Sequence, residues 1–330
     1  MLAKLHAAFV LLACVGGAHE ARAEKISLMV GGYEKQIYLP AKLAESLGYF
    51  KEQGLDIELL NEPDGVEAED ALLAGAVQGV IGFYDHTVDL QSKGKFVESV
   101  VQFSQAPGEV EMVSNLRPEM TSVADLKGQV TGVTGLGSST SFLEKYLVVK
   151  SGLKISDVTA IPVGAGQTFI AAMQQGKIQA GMTTEPTVSV LIKMRLARPL
   201  VDLRTVEAAK AIFGGPYPAA SLYMENAYVD AHKDIVQKLA NAFVKTLRYI
   251  ADHNAEEIAD VMPPEFYVGD KALYVQGLAA GKRAFTADGR MPDQGPETVR
   301  AALSTFSKGV RNKFIDLSKT YTRDFVDAAH

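Results

Sequence analysis

The chain has 330 residues, 47% of them hydrophobic and 22% charged, with 33 Lys and Arg against 39 Asp and Glu for a net charge of −6. That length suffices for two domains, each with its own core. Scattered acidic charge, with no basic stripe and no basic helix, argues against a nucleic-acid partner and against a membrane-surface role.

Residues 1–23 read as a signal segment rather than as part of the fold. Lys4 precedes an apolar stretch, Ala7–Ala18, and Ala21-Arg22-Ala23 has the small-x-small form of a secretory cleavage site. The stretch is shorter than the ~20 residues needed to span a bilayer. The single cysteine, Cys14, lies inside it, and Leu11-Leu12-Ala13-Cys14 resembles a lipoprotein cleavage box, so a lipid-anchored form stands beside the secreted one. Cleavage after Ala23 leaves a mature chain with no disulfide, thiolate nucleophile or cysteine metal site.

Ile26, Leu28 and Val30 alternate as a first strand, ended by Gly31-Gly32-Tyr33. Pro40 is placed to start a helix over Ala41–Leu47. A second strand over Leu55–Leu60, a helix over 67–74, a strand over 79–83 and a strand over Phe96–Phe103 follow. After a break at Gln105-Ala106-Pro107-Gly108, a second series begins beyond Glu109–Ser114. It holds a short helix near Val123–Leu126, strand Gln129–Val133, helix Phe142–Lys150, strand Val158–Pro162, helix Thr168–Gln174, strand Ile178–Thr183 and helix Thr187–Met194. Gly214-Gly215-Pro216-Tyr217-Pro218 breaks the pattern again. Ala220–Met224 then reads as a strand, and the apolar stripe Ile235, Leu239, Phe243, Leu247, Ile250 as the core face of a helix. Such alternation predicts an α/β fold of parallel sheets covered by helices.

One device occurs twice. Ala74-Gly75-Ala76-Val77-Gln78-Gly79-Val80-Ile81-Gly82 and Gln175-Gly176-Lys177-Ile178-Gln179-Ala180-Gly181-Met182-Thr183 each close a helix at Gly and open an apolar strand. The repetition predicts two similar α/β lobes with a ligand cleft between them. The boundaries expected are 24–107 for the first part of lobe one, 108–215 for lobe two and 216–330 for the rest of lobe one, with the two crossings acting as a hinge.

Ligands of open α/β sheets bind at the carboxyl ends of the strands. That rule selects the loops Gly32–Tyr38, Tyr84–His86, Ser104–Gln105, Gly135–Thr140 and Thr184–Pro186, and within them Tyr33, Gln36, Tyr38, Tyr84, His86 and Glu185 are the candidate ligand contacts. In Thr134-Gly135-Leu136-Gly137-Ser138-Ser139-Thr140-Ser141 a strand ends, glycines turn the chain and hydroxyls open a helix, a setting that attracts anions. Gly137, Ser138, Ser139 and Thr140 are therefore the expected anion cradle. Ser141-Phe142-Leu143-Glu144 also fits a capping box, which needs no ligand. The tyrosines suit a flat or polar ligand, His86 an anion, and Glu185 an amine; each also has an ordinary structural reading as core, cap or solvated acid. The segment lacks the third small residue of a dinucleotide fingerprint, the Gly-Lys-Ser/Thr of a P-loop and the Gly-x-Ser-x-Gly of a nucleophile elbow. The mature-chain histidines, His86, His232, His253 and His330, lack zinc-site spacing, so no metal and no cofactor are expected.

Pro40, Gly48-Tyr49-Phe50-Lys51, Gly54-Leu55-Asp56-Ile57-Glu58, Leu73-Ala74-Gly75 and Asp125-Leu126-Lys127-Gly128-Gln129 together resemble the solute-binding proteins of ABC importers. The subgroup is the nitrate/sulfonate/taurine type, related to the thiamine-pyrimidine binders. The resemblance covers most of 25–225 in consistent order, and Gly137-Ser138-Ser139 matches the family's usual Gly-Ser-Ser segment. It implies a periplasmic binding protein fold, a small-molecule ligand enclosed between two lobes, a periplasmic location and delivery to a membrane permease and its ATPase. A monomer and no enzymatic activity are expected. The related pyrimidine-phosphate synthase carries a cysteine-rich motif that the mature chain lacks, and the cleft tryptophan of many relatives is missing, since the chain has no Trp. The expected ligand is a small organic anion or a sulfonate-, taurine- or pyrimidine-like compound. The alternatives are a fold-related enzyme acting on a small heterocycle and a periplasmic sensory protein.

Overall fold

The computed structural model describes residues 25–267 and 269–329; the expected signal segment with Cys14 lies outside the described residues. The strands are β1 (Lys25–Val30), β2 (Asp56–Asn61), β3 (Gly79–Phe83), β4 (Val97–Gln102), β5 (Glu109–Ser114), β6 (Val130–Val133), β7 (Thr159–Pro162), β8 (Ala180–Thr184), β9 (Ala197–Asp202) and β10 (Ala220–Glu225). They form two five-stranded sheets of order β2-β1-β3-β10-β4 and β7-β6-β8-β5-β9. The second sheet is built wholly from residues 109–202, and the first takes strands from both sides of that stretch.

Both sheets are mixed, where the alternation of elements predicted parallel ones. In the first, β10 runs antiparallel to β3 and β4. In the second, β5 runs antiparallel to β8 and β9. These two strands follow no crossover helix in the same sheet; each enters directly from the other lobe, so the right-handed βαβ rule does not govern them. Strand β9, which carries Pro199, and the helix Val206–Phe213 were not anticipated. The proline sits on an edge strand, where a missing N–H is tolerated.

The repeated device occupies the same place in each sheet, the third strand beside the antiparallel one. Helices Gly65–Leu73 and Gly166–Gln174 end identically: Gly75 (φ 72°) and Gly176 (φ 67°) take the left-handed conformation. The next amide then reaches back, Ala76 N–H to the Ala71 carbonyl and Lys177 N–H to the Ala172 carbonyl, as in a Schellman closure. Even the glutamines match. The side-chain oxygen of Gln78 accepts from the Ser27 N–H at 2.8 Å, and that of Gln179 from the Val130 N–H at 3.0 Å.

The main apolar cluster runs through the first sheet and the C-terminal helices, and it also takes in Phe142, Leu143, Tyr146 and Leu147 of the helix Ser139–Lys150. A separate cluster around Val110, Met112, Phe169 and Met173 fills the other side of the second sheet. Each such Leu or Phe contributes about 1.5–3 kcal/mol on burial. The Ser139–Lys150 helix starts three residues earlier than predicted. Ser141 and Glu144 therefore lie inside it and form no capping box: Glu144 accepts from the Thr131 hydroxyl, and Ser141 Oγ has no partner among the described residues. No helix among the described residues is long and apolar enough to cross a membrane.

Candidate functional site

The carboxyl ends of β1, β3, β6 and β8 face one another between the sheets. On the first wall, the chain turns after β1 through Gly32 (φ 116°), a position where a Cβ would lie 2.6 Å from Lys35 Cε. Glycine there lets Lys35 fold back over the turn, and its ammonium donates to the Gly31 and Pro63 carbonyls at 2.5 and 3.1 Å. Asp64 caps the helix Gly65–Leu73, one oxygen accepting from the Val66 and Glu67 amides at 2.8 and 3.1 Å. Its other oxygen points at the second lobe: a Cβ on Gly135 would lie only 1.9 Å from it. Asp85 and His86 open the helix Asp85–Ser92 just past β3.

On the second wall, Thr134, Ser138 and Thr140 close a triangle of hydroxyls with O···O distances of 2.7–3.0 Å, and Ser138 also donates to the Gly135 carbonyl at 2.7 Å. Gly137 (φ 94°) makes the turn that permits this. Ser139 instead reaches across to donate to Asp85 Oδ1 at 2.7 Å, and Tyr217, from the second crossing, donates to Asp85 Oδ2 at 3.1 Å. Glu109, the first residue of β5, is paired with Thr184 at the end of β8, so the antiparallel strand brings its carboxylate to the same end of the sheet.

Seven of the sequence-selected positions thus meet at the interlobe face: Gly137, Ser138, Ser139, Thr140, Tyr38, whose ring lies 5.9 Å from the Lys35 ammonium, and Gln36 and Glu185, which are joined by a backbone hydrogen bond across the lobes. The remaining three, Tyr33, Tyr84 and His86, have other engagements, as do the side chains of Gln36 and Glu185. Tyr84 is fully buried with its hydroxyl 2.5 Å from Thr320 Oγ1, a core position rather than a cleft one. Its backbone starts a helix instead of a loop, which turns the ring toward the C-terminal segment. His86 pairs with Glu69 at 2.6 Å, and its Nε2 stands 2.8 Å from where a Gly65 Cβ would be. Gln36 donates to the Tyr274 carbonyl at 2.7 Å, and its amide to the Glu185 carbonyl at 3.0 Å. Glu185 is held by Arg204 at 2.6 Å and by the Ser189 amide at 3.0 Å, beside a small pocket lined also by Gln36, Gly277 and Phe285. Tyr33 packs edge-on to Phe266, its amide donating to Asn61 at 2.7 Å. Lys35, Asp64, Asp85, Glu109 and Tyr217 were not selected from the sequence.

The site is acidic. Burial pushes the Glu109 carboxyl well up, opposed by Lys35 and reinforced by Asp85. Burial likewise raises Asp85, against His86 and the hydrogen bonds from Ser139 and Tyr217. Lys35 is lowered by burial, with Glu34, Glu109 and Asp64 opposing. Burial would also lower His86, but the Glu69 hydrogen bond and the charges of Glu69, Asp85 and Asp89 outweigh it and take the imidazole up to about 9. In the expected anion cradle the triangle hydroxyls spend their protons on one another and on Gly135, while carboxyl groups flank them. Among the described residues, no group of three His, Cys, Asp or Glu is placed to hold a metal ion.

Comparison with known proteins adds a lineage to this geometry. A solved structure from Bordetella bronchiseptica RB50 matches with a TM-score of 0.88 at 35% identity, over 92% of this chain and 96% of that one. The alkanesulfonate-binding protein SsuA from Xanthomonas axonopodis pv. citri, solved bound to MOPS, shares the fold with a TM-score of 0.71 at 17% identity, over 92% of this chain and 99% of its own. The 4-amino-5-hydroxymethyl-2-methylpyrimidine phosphate synthase THI13 of Saccharomyces cerevisiae is 27% identical over 232 residues, 69% of this chain and 67% of its own length. The fold is that of periplasmic binding proteins, and the NMT1/THI5-like sequence pattern runs through residues 38–257, well over half the chain, so the protein belongs to the NMT1/THI5-like family.

Proposed function

We propose that the protein is an extracytoplasmic solute-binding protein that encloses a small planar ligand bearing an amine or amidine group and delivers it, as a monomer, to an ABC permease and its ATPase. One observation carries the ligand class: the carboxyl groups of Asp64, Asp85 and Glu109 converge on the interlobe face with a single ammonium, Lys35. An anion brought there meets like charge, whereas a cation or a polarised N–H group gains from each carboxyl. Tyr38 and Tyr217 offer aromatic surface beside them. Closure of lobe two (108–215) onto lobe one (24–107 and 216–330) about the two crossings would bury the ligand.

A thermal-shift screen with 4-amino-5-hydroxymethyl-2-methylpyrimidine, benzamidine, MOPS, taurine and nitrate tests the class. A true ligand at about one hundred times its Kd stabilises by ~2.7 kcal/mol. Shifts from the sulfonates or nitrate alone overturn the reading. The kinship with a pyrimidine phosphate synthase supports a second reading, an enzyme acting on a heterocycle. Product release on incubation with the best hit would favour it; stoichiometric binding without product would exclude it.

A further inference from the structure

Behind the cleft lies a row of buried acids that ligand contact alone does not explain. Glu109 and Glu111 are two residues apart on β5 and so project to the same face of the second sheet. Glu144, on the helix Ser139–Lys150 that covers this face, completes the row. All three are at least nine-tenths buried: Glu109 is 4% exposed, Glu111 0% and Glu144 3%. Among the described residues, both oxygens of Glu111, one of Glu109, one of Glu144 and the nearby Ser141 hydroxyl have no hydrogen-bond partner. The single donor that the described residues supply to the row is the Thr131 hydroxyl, on Glu144.

Charged groups around the row do not balance it. Lys35 faces Glu109 from the loop after β1, but two of its three N–H groups donate to the Gly31 and Pro63 carbonyls. Asp85 adds like charge from the helix after β3, and Tyr38 and Tyr217 complete the surround of Glu109. Glu111 feels Glu144 and Glu109, both acids. Lys145, beside Glu144, is only half-buried. His86, near Asp85, is bound to Glu69. Three ionised carboxylates in this setting would leave uncompensated buried charge, which proteins avoid by keeping protons on such groups.

We propose that Glu109, Glu111 and Glu144 hold shared protons in the unliganded protein, and that a cationic ligand reaching Glu109 displaces one of them to solvent, so that binding is coupled to proton release. This rests on the reading of the cleft as a cation-accepting site. The ligand's positive charge replaces the proton as the partner of Glu109, leaving the site's net charge unchanged. Burial raises all three carboxyls, in keeping with this. A neutral ligand that hydrogen-bonds to protonated Glu109 releases no proton.

The experiment is calorimetry of benzamidine binding to the mature protein in two buffers of different ionisation enthalpy, repeated across pH. Beside it, infrared spectroscopy of the unliganded protein reads the carboxylic-acid C=O band. The expected result is release of about one proton, with affinity rising up to tenfold per pH unit while Glu109 is protonated. Glu109→Gln removes the release, and Glu111→Gln moves it to lower pH. The acid band is present at neutral pH and smaller in each variant. Binding with no proton exchanged and no pH dependence overturns the coupling while leaving the cleft reading intact. Failure of benzamidine to bind at any pH overturns both the cleft reading and the coupling. Absence of the acid band at neutral pH overturns the protonated row in either case.

Discussion

Gly135→Ala tests whether the closest approach of the two walls is used in binding. Gly135 does not have a positive φ, so alanine suits its backbone and the effect is steric alone. The new Cβ would lie 1.9 Å from Asp64 Oδ2 and 2.5 Å from its Cγ, against roughly 3.5 Å for an ordinary contact. About 1.6 Å must therefore be found. Asp64 can swing away only by giving up the Val66 and Glu67 amides, a cap worth about 1 kcal/mol. Otherwise the lobes part. Either way the closed arrangement is penalised and the open one is not, so affinity falls by ~1–2 kcal/mol, or roughly 5–30-fold. Calorimetry with the best ligand measures this, and small-angle scattering of the liganded protein reads closure. Adding Asp64→Ser keeps a capping oxygen on a shorter side chain and should restore full closure, while the part of the affinity that the Asp64 carboxyl supplies stays lost. If Gly135→Ala binds as tightly as the wild type and closes fully, contact between these walls plays no part in ligand capture and the argument fails.

Three further outcomes follow from other parts of the site. The His86–Glu69 pair should make stability pH-dependent on the alkaline side. A folded-state pKa of about 9 against an ordinary 6.5 means its contribution, at most about 3 kcal/mol, is whole below pH 6.5 and lost as pH rises through 9. Urea unfolding of wild type and Glu69→Gln over this window should diverge at low pH and converge at high pH; parallel curves would refute the pairing. Arg204→Met leaves Glu185, 3% exposed, without its cation and should cost ~3–5 kcal/mol, whereas a loss under 1 kcal/mol would show that the Ser189 amide suffices. Ser139→Ala removes the bond to Asp85 and should destabilise by about 1 kcal/mol while weakening ligand binding, with Ser138→Ala as the comparison that opens the hydroxyl triangle; unchanged affinity in both would remove this segment from the site.

What the sequence made legible was local. The alternation of Ile26, Leu28 and Val30, the Gly75 and Gly176 stops and the core stripe of the helix Lys233–Asp252 all depend on residues within a few positions of one another. The α/β class followed from their order, and the periplasmic binding protein fold from the family resemblance. The acids of the cleft depend on distant register and were not legible. Glu109 is not legible because the carboxyl-end rule points to the ends of parallel strands, and it stands at the beginning of an antiparallel one. Asp64 has the spacing of a helix cap, but nothing near it in sequence announces that its outer oxygen meets Gly135. Tyr84 went the other way: its place after β3 suggested the cleft, while a hydrogen bond to a residue 236 positions later holds it in the core.

The two strands that reverse direction, β5 and β10, have a mechanical consequence. Because each starts at the cleft edge of its sheet, the linkers between lobes arrive beside the ligand site rather than behind it. In a rotation about those linkers, Glu109 and Tyr217, which stand at or beside them, would travel little. Under the proposed closure the ligand would then be read first by these near-stationary groups, so that residues beside the linkers govern what is chosen.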